Sequence, residues 1–227
     1  MRILAIETAH PPGSVALAEG TETMEILPLG NGLRTTESFA AQIQLGLGRL
    51  GWAPDSIDIV ATSTGPGSFT GLRIGVTAAK VFSYATGARV FAANTLRLIA
   101  SQVPTDGEIE VVMDAQRGEL FVAGYAREGE SLKQLREVSI VAADQWLESR
   151  PVSATLTGPG LAKVKGRLGD EAKTADEADW IPQAEQLARL AASAEPEDFV
   201  EPFTLVPNYF RKSAAEEKAD KAEVQNS

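Results

Sequence analysis

The most informative part of the sequence is STGPGSFTGLRIG, residues 63–75. The residues from 57 to 64 are typical of a buried strand, and the Gly-Pro-Gly that follows ends it. Ser68 or Thr70 then supplies a side chain that can begin a helix, which continues to Ala85 before Gly87 ends it. The stretch therefore predicts a strand, a glycine loop and a helix in direct succession.

The loop of this junction has the chemistry of an anion site. A strand-to-helix turn points backbone N–H groups outwards, and a helix N-terminus favours negative charge. The loop is no P-loop, because Gly-Lys-Ser/Thr is missing at the required spacing, and it is no dinucleotide fingerprint. A phosphate or nucleotide role stays open, and its candidate residues are Gly65, Gly67 and Ser68.

The predicted helix has a face of small residues. Gly71 and Gly75 lie four apart, and Ala78 and Ala79 continue this face one turn later. A glycine inside a helix costs about 0.5–1 kcal/mol relative to alanine, so close packing is the expected compensation. The sequence leaves open whether that packing is internal or between subunits. On the second interpretation, Gly75→Leu weakens partner association more than folding.

The same order of elements occurs twice along the chain. Each half reads as three antiparallel strands, a helix, a strand that ends in Thr-Gly-Pro-Gly, and a second helix; the two tetrapeptides are residues 64–67 and 157–160. This repetition predicts an α/β fold built from a duplicated unit, with a mixed sheet in each half and helices over its faces. Asp144 is the expected cap of the short helix in the second half.

The predicted halves are residues 1–103 and 104–212. Residues 213–227 are rich in Ala, Glu, Lys and Asp and lack apolar anchors, so a frayed or disordered charged tail is expected there. With 227 residues and no cysteine, the chain needs no disulfides and offers no thiolate chemistry. We expect a cytoplasmic protein without a membrane segment.

The formal net charge is −10, and no basic run precedes the mixed-charge tail. A protein that binds nucleic acid alone usually presents a basic face. Any contact with RNA is therefore expected to be shared with a more basic partner.

Four motifs in order resemble the TsaB (YeaZ) family. The stretch GPGSFTGLRIG, residues 65–75, looks like the family signature, and residues 3–9 with 14–17 resemble its first hairpin, where the family commonly has Asp in place of Glu7. Residues 114–121 and 207–211 are similar to its second-half hairpin and its C-terminal element. Together these motifs extend over nearly the whole chain.

The resemblance implies the duplicated actin/Hsp70/sugar-kinase fold, which is ribonuclease H-like and abbreviated ASKHA. It also implies a non-catalytic scaffold or dimerisation subunit that binds and activates TsaD, the paralogue that transfers threonylcarbamoyl to an adenosine of tRNA. TsaE, an ATPase, joins the complex, and the resembling subunit contacts tRNA only indirectly, through the complex. No cofactor of its own is implied, although ATP or ADP can bind at the level of the complex.

In the family, helices of the N-terminal half bind TsaD. Here Phe39, Ile43 and Leu47 are either core residues or part of a partner surface that also includes residues of the neighbouring helix. The same face can support a homodimer when the partner is missing. The candidate interface residues are Phe39, Ile43, Leu47, Thr70, Gly71, Leu72, Arg73, Gly75, Val76 and Ala79.

Residues for chemistry are sparse, and no catalytic or metal site is predicted. The catalytic paralogue holds its metal with a His-x-x-x-His pair, whereas the one histidine here is His10, expected to be a solvated loop side chain. Asp114 can either point into an interdomain cleft or, with Arg117, fix a hairpin turn, and the turn is favoured. The alternatives to a scaffold are a stand-alone small-molecule kinase of this fold or a glycoprotease-like peptidase.

Overall fold

The computed structural model describes residues 1–30 and 35–211, with the backbone alone for residues 35–38. The predicted tail, residues 213–227, lies outside the described residues. The chain begins with an antiparallel meander of β1 (Arg2–Glu7), β2 (Ser14–Glu19) and β3 (Glu22–Pro28). Both faces of β1 and β2 are buried, which explains why these strands are apolar without alternation.

Two helix–strand units follow the meander. The elements are α1 (Thr35–Leu50), β4 (Ile59–Gly65), α2 (Phe69–Thr86), β5 (Arg89–Asn94) and α3 (Thr95–Gln102). As predicted, the Ser68 hydroxyl caps α2 by accepting from the Gly71 N–H, and Gly87 ends the helix at a φ of 79°. Asn94 caps α3 by accepting from the N–H groups of Leu96 and Arg97.

The second half repeats this order in a shortened form. Its elements are β6 (Gly107–Gln116), β7 (Glu119–Glu128), β8 (Ser131–Ala142), α4 (Ala143–Ser149), β9 (Thr155–Thr157) and α5 (Leu161–Val164). The expected Asp144 cap is wrong: the N-cap is Ala142, two residues earlier, and Asp144 lies in the first turn of α4. An acid there still stabilises the helix through the macrodipole.

The strand orders of the two sheets confirm the duplicated α/β fold. The first sheet contains the order β4-β1-β2-β3 and the second has the order β9-β6-β7-β8. In each sheet the first three strands are antiparallel, and the fourth lies parallel to the first. The first sheet extends further through β5, which is parallel to β4. Each half is therefore a mixed sheet, as the repeat predicts.

The C-terminal residues return to the first sheet. Helix α6 (Ala184–Ala192) covers β1, β2 and β4, and β10 (Phe199–Val200) pairs antiparallel with β5. Both elements fall within the predicted second half, 104–212, yet they pack on the first. Their apolar residues complete a core layer with Ala5, Ala16 and Ala61, so the first sheet is covered on both faces. The division at residues 103 and 104 stays a prediction.

Helices α1 and α2 cover the opposite face of the first sheet. Their inward residues pack on Leu4, Ile6 and Leu17, which alternate along the strands with the alanines beneath α6. In residues 1–30 and 35–211, no helix combines the length and the hydropathy that a membrane crossing requires.

Candidate functional site: an apolar groove beside an interdomain cleft

The outer surface of α1 and α2 forms an apolar groove of about 780 Å³. Along α2, the side chains of Ile74, Ala78 and Phe82 recur every four residues and form its floor, and Phe39 and Ile43 of α1 form its opposite wall. Val81 stands at its edge and is 61% exposed. An exposed apolar surface of this kind on a packed helix pair is typical of a protein-binding face.

The structure corrects a large part of the predicted interface. Most of the small-residue face of α2 and Leu47 of α1 point into the core of the first half, where Leu47, Gly71, Gly75, Val76 and Ala79 are buried. Leu72 is buried as well, at the wall of a cavity between the two halves. Such residues support the groove from beneath and are inaccessible to a partner. Phe39, Ile43, Thr70 and Arg73 line the groove, and their assignment to a partner surface stays a prediction.

The two glycines of α2 pack internally, which answers the question that the sequence left open. A Cβ atom on Gly75 would lie 2.5 Å from Thr8 Oγ1 and 2.8 Å from Thr62 Oγ1. The expectation that Gly75→Leu weakens association more than folding is therefore wrong. The larger side chain would instead collide with the end of β1 and with β4, and the fold itself would be destabilised.

Several groove residues are absent from the predicted interface, among them Ile74, Ala78, Val81 and Phe82 of α2. The available signal was helical spacing, since positions 74, 78, 81 and 82 share one face of α2. That signal is ambiguous because α2 is apolar on two faces. The predicted interface was placed on the face that contains Gly71 and Gly75.

The glycine loop 65–68 is filled by the chain itself. Gly65 has a φ of 121°, and a Cβ atom there would lie 2.8 Å from the carbonyl oxygen of Asn208. A Cβ atom on Gly67 would lie 2.5 Å from the carbonyl oxygen of Ala9, which also accepts the Ser68 N–H at 2.7 Å. The glycines thus permit close backbone packing, and the anion or nucleotide role of Gly65, Gly67 and Ser68 stays a prediction.

A second cavity, of about 740 Å³, lies between the two halves. Leu72 from the first half and Met113, Phe121 and Phe210 give it an apolar lining. Asp114, Arg117 and Lys163 add charged groups from the second half, while His10, Tyr209 and Arg211 complete the wall. The cleft has the size of a small-molecule pocket, and its lining mixes apolar side chains with polar and charged ones.

Asp114 serves both roles that the sequence allowed. Its Oδ1 accepts the Gln116 N–H at 2.9 Å, which fixes the β6–β7 turn where Arg117 and Gly118 have φ values of 57° and 77°. Its Oδ2 accepts from Lys163 Nζ at 2.7 Å at the wall of the cleft. The carboxylate is therefore neutralised by an ion pair while it holds the turn.

Glu7 is the last residue of β1, and its side chain is fully buried. Oε1 accepts the Ala9 N–H at 2.6 Å. Burial raises the pKa of Glu7 to about 7, against the opposing effects of the Ser63 hydroxyl and the N–H groups of Ala9 and His10. The carboxyl group is part of the interior of the first half and does not line the cleft.

His10 is half-buried in the wall of the cleft, and this burial lowers its pKa. The expectation of a solvated loop histidine is thus corrected, because the Pro-rich loop folds back against the start of α2. Across the described ranges 1–30 and 35–211, no three His, Asp or Glu side chains converge in a way that could hold a metal ion.

The repeated sheets and the cleft between them define a protein of the duplicated actin-like α/β class. The Bacillus subtilis protein called tRNA threonylcarbamoyladenosine biosynthesis protein TsaB is 30% identical over 227 residues, 96% of this chain and 97% of that protein. The chain belongs to the TsaB (YeaZ) family.

Further comparisons agree with this assignment. A family profile described as TsaD, tRNA N6-adenosine threonylcarbamoyltransferase, matches residues 34–219. The Escherichia coli TsaB protein is 31% identical over 156 residues, which cover 66% of each chain. The structure of YeaZ from Pseudomonas aeruginosa superposes with a TM-score of 0.76 at 21% identity, covering 92% of this chain and 99% of that one, and shows the same fold.

Proposed function

We propose that this chain is a non-catalytic scaffold subunit of the complex that forms threonylcarbamoyladenosine in tRNA, and that it binds and activates a TsaD-like catalytic subunit. The observation that carries the proposal is the apolar groove between α1 and α2. Its exposed edge is apolar where an isolated surface helix would be polar, which is the pattern of a face that a partner covers.

The charges on α2 indicate the chemistry of the partner surface. In a chain of net charge −10, the only charged residues of this helix are Arg73 and Lys80. Arg73 lines the groove, whereas Lys80 donates to the carbonyl oxygens of Phe203 and Leu205. The complementary surface is therefore apolar with a carboxylate opposite Arg73, because opposite charges at the rim of an interface raise the association rate and fix its register.

Three features in and beside the cleft support a role without chemistry of its own. Glu7 lies buried beneath the surface, the glycine loop is packed against Ala9 and Asn208, and Asp114 is paired with Lys163. A catalytic acid or base must reach a reacting atom, and none of these carboxyl groups is both accessible and unpaired. In this proposal the reacting groups belong to TsaD, and this chain contributes binding energy.

The remaining partners follow from the same assignment. A TsaE-like ATPase joins the two subunits, and ATP or ADP binds at the level of the complex. The tRNA is bound through the more basic partner, since an acidic chain cannot supply the phosphate contacts that dominate RNA affinity. The complex functions in the cytoplasm.

The proposal is tested by a charge placed at the edge of the groove. Val81→Asp keeps the core intact because the side chain is 61% exposed, and Val152→Asp is the matched control at an exposed position, 67%, outside the groove. Affinity for the TsaD-like subunit of the same organism is measured by calorimetry, together with threonylcarbamoyladenosine formation in a reconstituted assay.

We expect Val81→Asp to weaken binding about tenfold or more, because a carboxylate would be desolvated in an apolar interface, and to lower modification in parallel. Val152→Asp should leave both unchanged. Equal affinity of the Val81→Asp variant and the unmodified chain would contradict the proposal, as would modification activity by this chain alone.

A further inference from the structure

The first turn of α2 separates the groove from the cleft. Phe69 and Thr70 line both cavities, and the two cavities lie on opposite sides of the helix. Arg73 lies one turn further along and faces the groove, whereas Tyr209 lines the cleft and not the groove. A contact between Arg73 and Tyr209 therefore joins the two cavities directly.

That contact is a stack of three side chains. The Arg73 guanidinium carbon lies 3.9 Å from the ring centroid of Phe69, and the rings of Phe69 and Tyr209 are stacked with centroids 4.8 Å apart. Arg73 Nε donates a hydrogen bond of 2.9 Å to the Tyr209 hydroxyl. The ring of Tyr209 is thus held from the groove side of the helix by a cation and an aromatic face.

The backbone next to Tyr209 is attached to both halves of the molecule. We call residues 207–211 the clasp. On its first side, the Asn208 N–H donates to the carbonyl oxygen of Thr64, at the end of β4, at 2.7 Å. On its other side, Arg211 Nη1 donates to the carbonyl oxygen of Ala115 at 2.7 Å and Arg211 forms an ion pair with Glu119, so the clasp reaches the β6–β7 turn.

Phe210 strengthens the second attachment. Its ring meets that of Phe121 on β7 edge to face, with centroids 6.1 Å apart. Within four residues the chain therefore crosses from the end of β4 in the first sheet to the turn of β6 and β7 in the second. The position of Tyr209 depends on the placement of the two halves, and that placement shapes the cleft.

We propose that the clasp couples the groove to the cleft: a protein docked on the groove covers Arg73 and Phe69, holds Tyr209 in the stack, and so fixes the two halves around the cleft. The coupling rests on the proposed function, because the groove must receive a partner. Exclusion of water strengthens the cation–ring contact and the hydrogen bond. By linkage, a ligand that binds in the cleft and fixes the two halves also raises the affinity of the partner for the groove.

The test uses Tyr209→Leu, which removes the ring and the hydroxyl from the stack without altering a residue of the groove. The matched control is Phe199→Leu, because Arg89 lies over the Phe199 ring at the same 3.9 Å that separates Arg73 from Phe69. Hydrogen–deuterium exchange of the full chain is measured alone and with saturating TsaD-like subunit, with attention to the amides of residues 115–119.

In the isolated chain, we expect Tyr209→Leu to speed exchange at residues 115–119 about threefold or more, since the clasp that Arg211 ties to this turn loses its anchor on α2. Partner binding should slow exchange there about fivefold in the unmodified chain, and much less in Tyr209→Leu. Phe199→Leu should behave as the unmodified chain in both states.

Two results would overturn the coupling. One is unchanged exchange at residues 115–119 in isolated Tyr209→Leu. The other is equal protection of those amides by the partner in Tyr209→Leu and in the unmodified chain. Failure of the partner to bind the unmodified chain is a separate result: it removes the proposed function and with it the coupling, whereas the isolated-chain measurement still reports whether the clasp holds the turn.

Discussion

Gly71 and Thr8 are packed backbone against backbone. The Thr8 hydroxyl donates to the carbonyl oxygen of Gly71 at 2.7 Å, and a Cβ atom on Gly71 would overlap the carbonyl oxygen of Thr8. The residue that follows β1 therefore sits directly on the first turns of α2. This contact holds the signature loop against the first hairpin, which is why two glycines occupy a helix interior despite their conformational cost.

Gly71→Ala is the first prediction, and its effect should be large for a single methyl group. The added Cβ meets backbone, which cannot move aside as a flexible side chain can, so we expect a loss of about 2–3 kcal/mol in the free energy of unfolding. Urea unfolding followed by circular dichroism measures it.

Gly48→Ala is the matched control for this prediction. Gly48 lies within α1, and no atom lies within 4 Å of its ideal Cβ position. Alanine there should stabilise the chain by about 0.5–1 kcal/mol, because it reduces the entropy of the unfolded state. Equal and small effects of both substitutions would show that Gly71 is not close to Thr8 in solution.

The second prediction concerns Glu7 and pH. The unfolded chain releases the Glu7 proton near 4.5, whereas the folded chain keeps it until about 7. Between these values the folded state binds more protons, so the stability of the unmodified chain relative to Glu7→Gln falls as the pH rises, by about 1.4 kcal/mol per pH unit. Below this window the difference is constant, and above it the difference is constant again.

Urea unfolding of both chains from about pH 4 to about pH 8 checks this dependence. Glu22→Gln is the control, because Glu22 is exposed on β3 and its replacement should leave the pH profile unchanged. A stability difference between Glu7→Gln and the unmodified chain that does not vary with pH would refute a raised pKa for Glu7.

The third prediction concerns the ion pair that crosses the second sheet. Arg136 on β8 donates to Glu110 Oε2 on β6 at 2.6 Å and passes over Gly124 of β7, whose missing side chain makes room for the guanidinium. Glu110 also accepts from Trp146 Nε1 at 3.2 Å. Arg136→Met leaves a buried carboxylate without its cation, so a loss of about 2–3 kcal/mol is expected near neutral pH.

The pH dependence of the Arg136→Met variant identifies the cause. Burial raises the pKa of Glu110 even with Arg136 in place, and removal of the cation raises this pKa further. The loss of stability should therefore be smallest in mild acid, where Glu110 is protonated, and should grow as the pH rises. A loss that is independent of pH would mean that Arg136 acts through packing alone.

The fourth prediction is self-association in the absence of a partner. The groove leaves apolar surface exposed, and two copies can cover it on each other about a twofold axis. We expect light scattering to show a concentration-dependent dimer for the unmodified chain and for Val152→Asp, and a monomer for Val81→Asp. A dimer that survives Val81→Asp would place the self-association elsewhere.

Local patterns predicted the individual elements because their causes are local. The Ser68 cap, the Gly87 stop and the meander each depend on residues a few positions apart. The repeat also predicted the duplicated sheets. The boundary at Asp144 failed because a helix start without a side-chain cap has no local signal.

The return of α6 to the first sheet was not predictable from its own sequence. Its apolar face, with Leu187, Ala188 and Ala191, indicates only that it covers some surface. The choice of sheet depends on which strands present small residues opposite it, here the alanines of β1, β2 and β4.

The family and the duplicated α/β units could be predicted from the sequence, because the motifs and the repeated order of elements follow one another along the chain. Which face of α2 stays uncovered depends on tertiary packing. Helical spacing places Gly75 and Ile74 on different faces, but the direction of each face depends on where β1 and β4 lie. That placement turned the glycines inward onto Thr8 and Thr62 and left Ile74, Ala78 and Phe82 to form the groove.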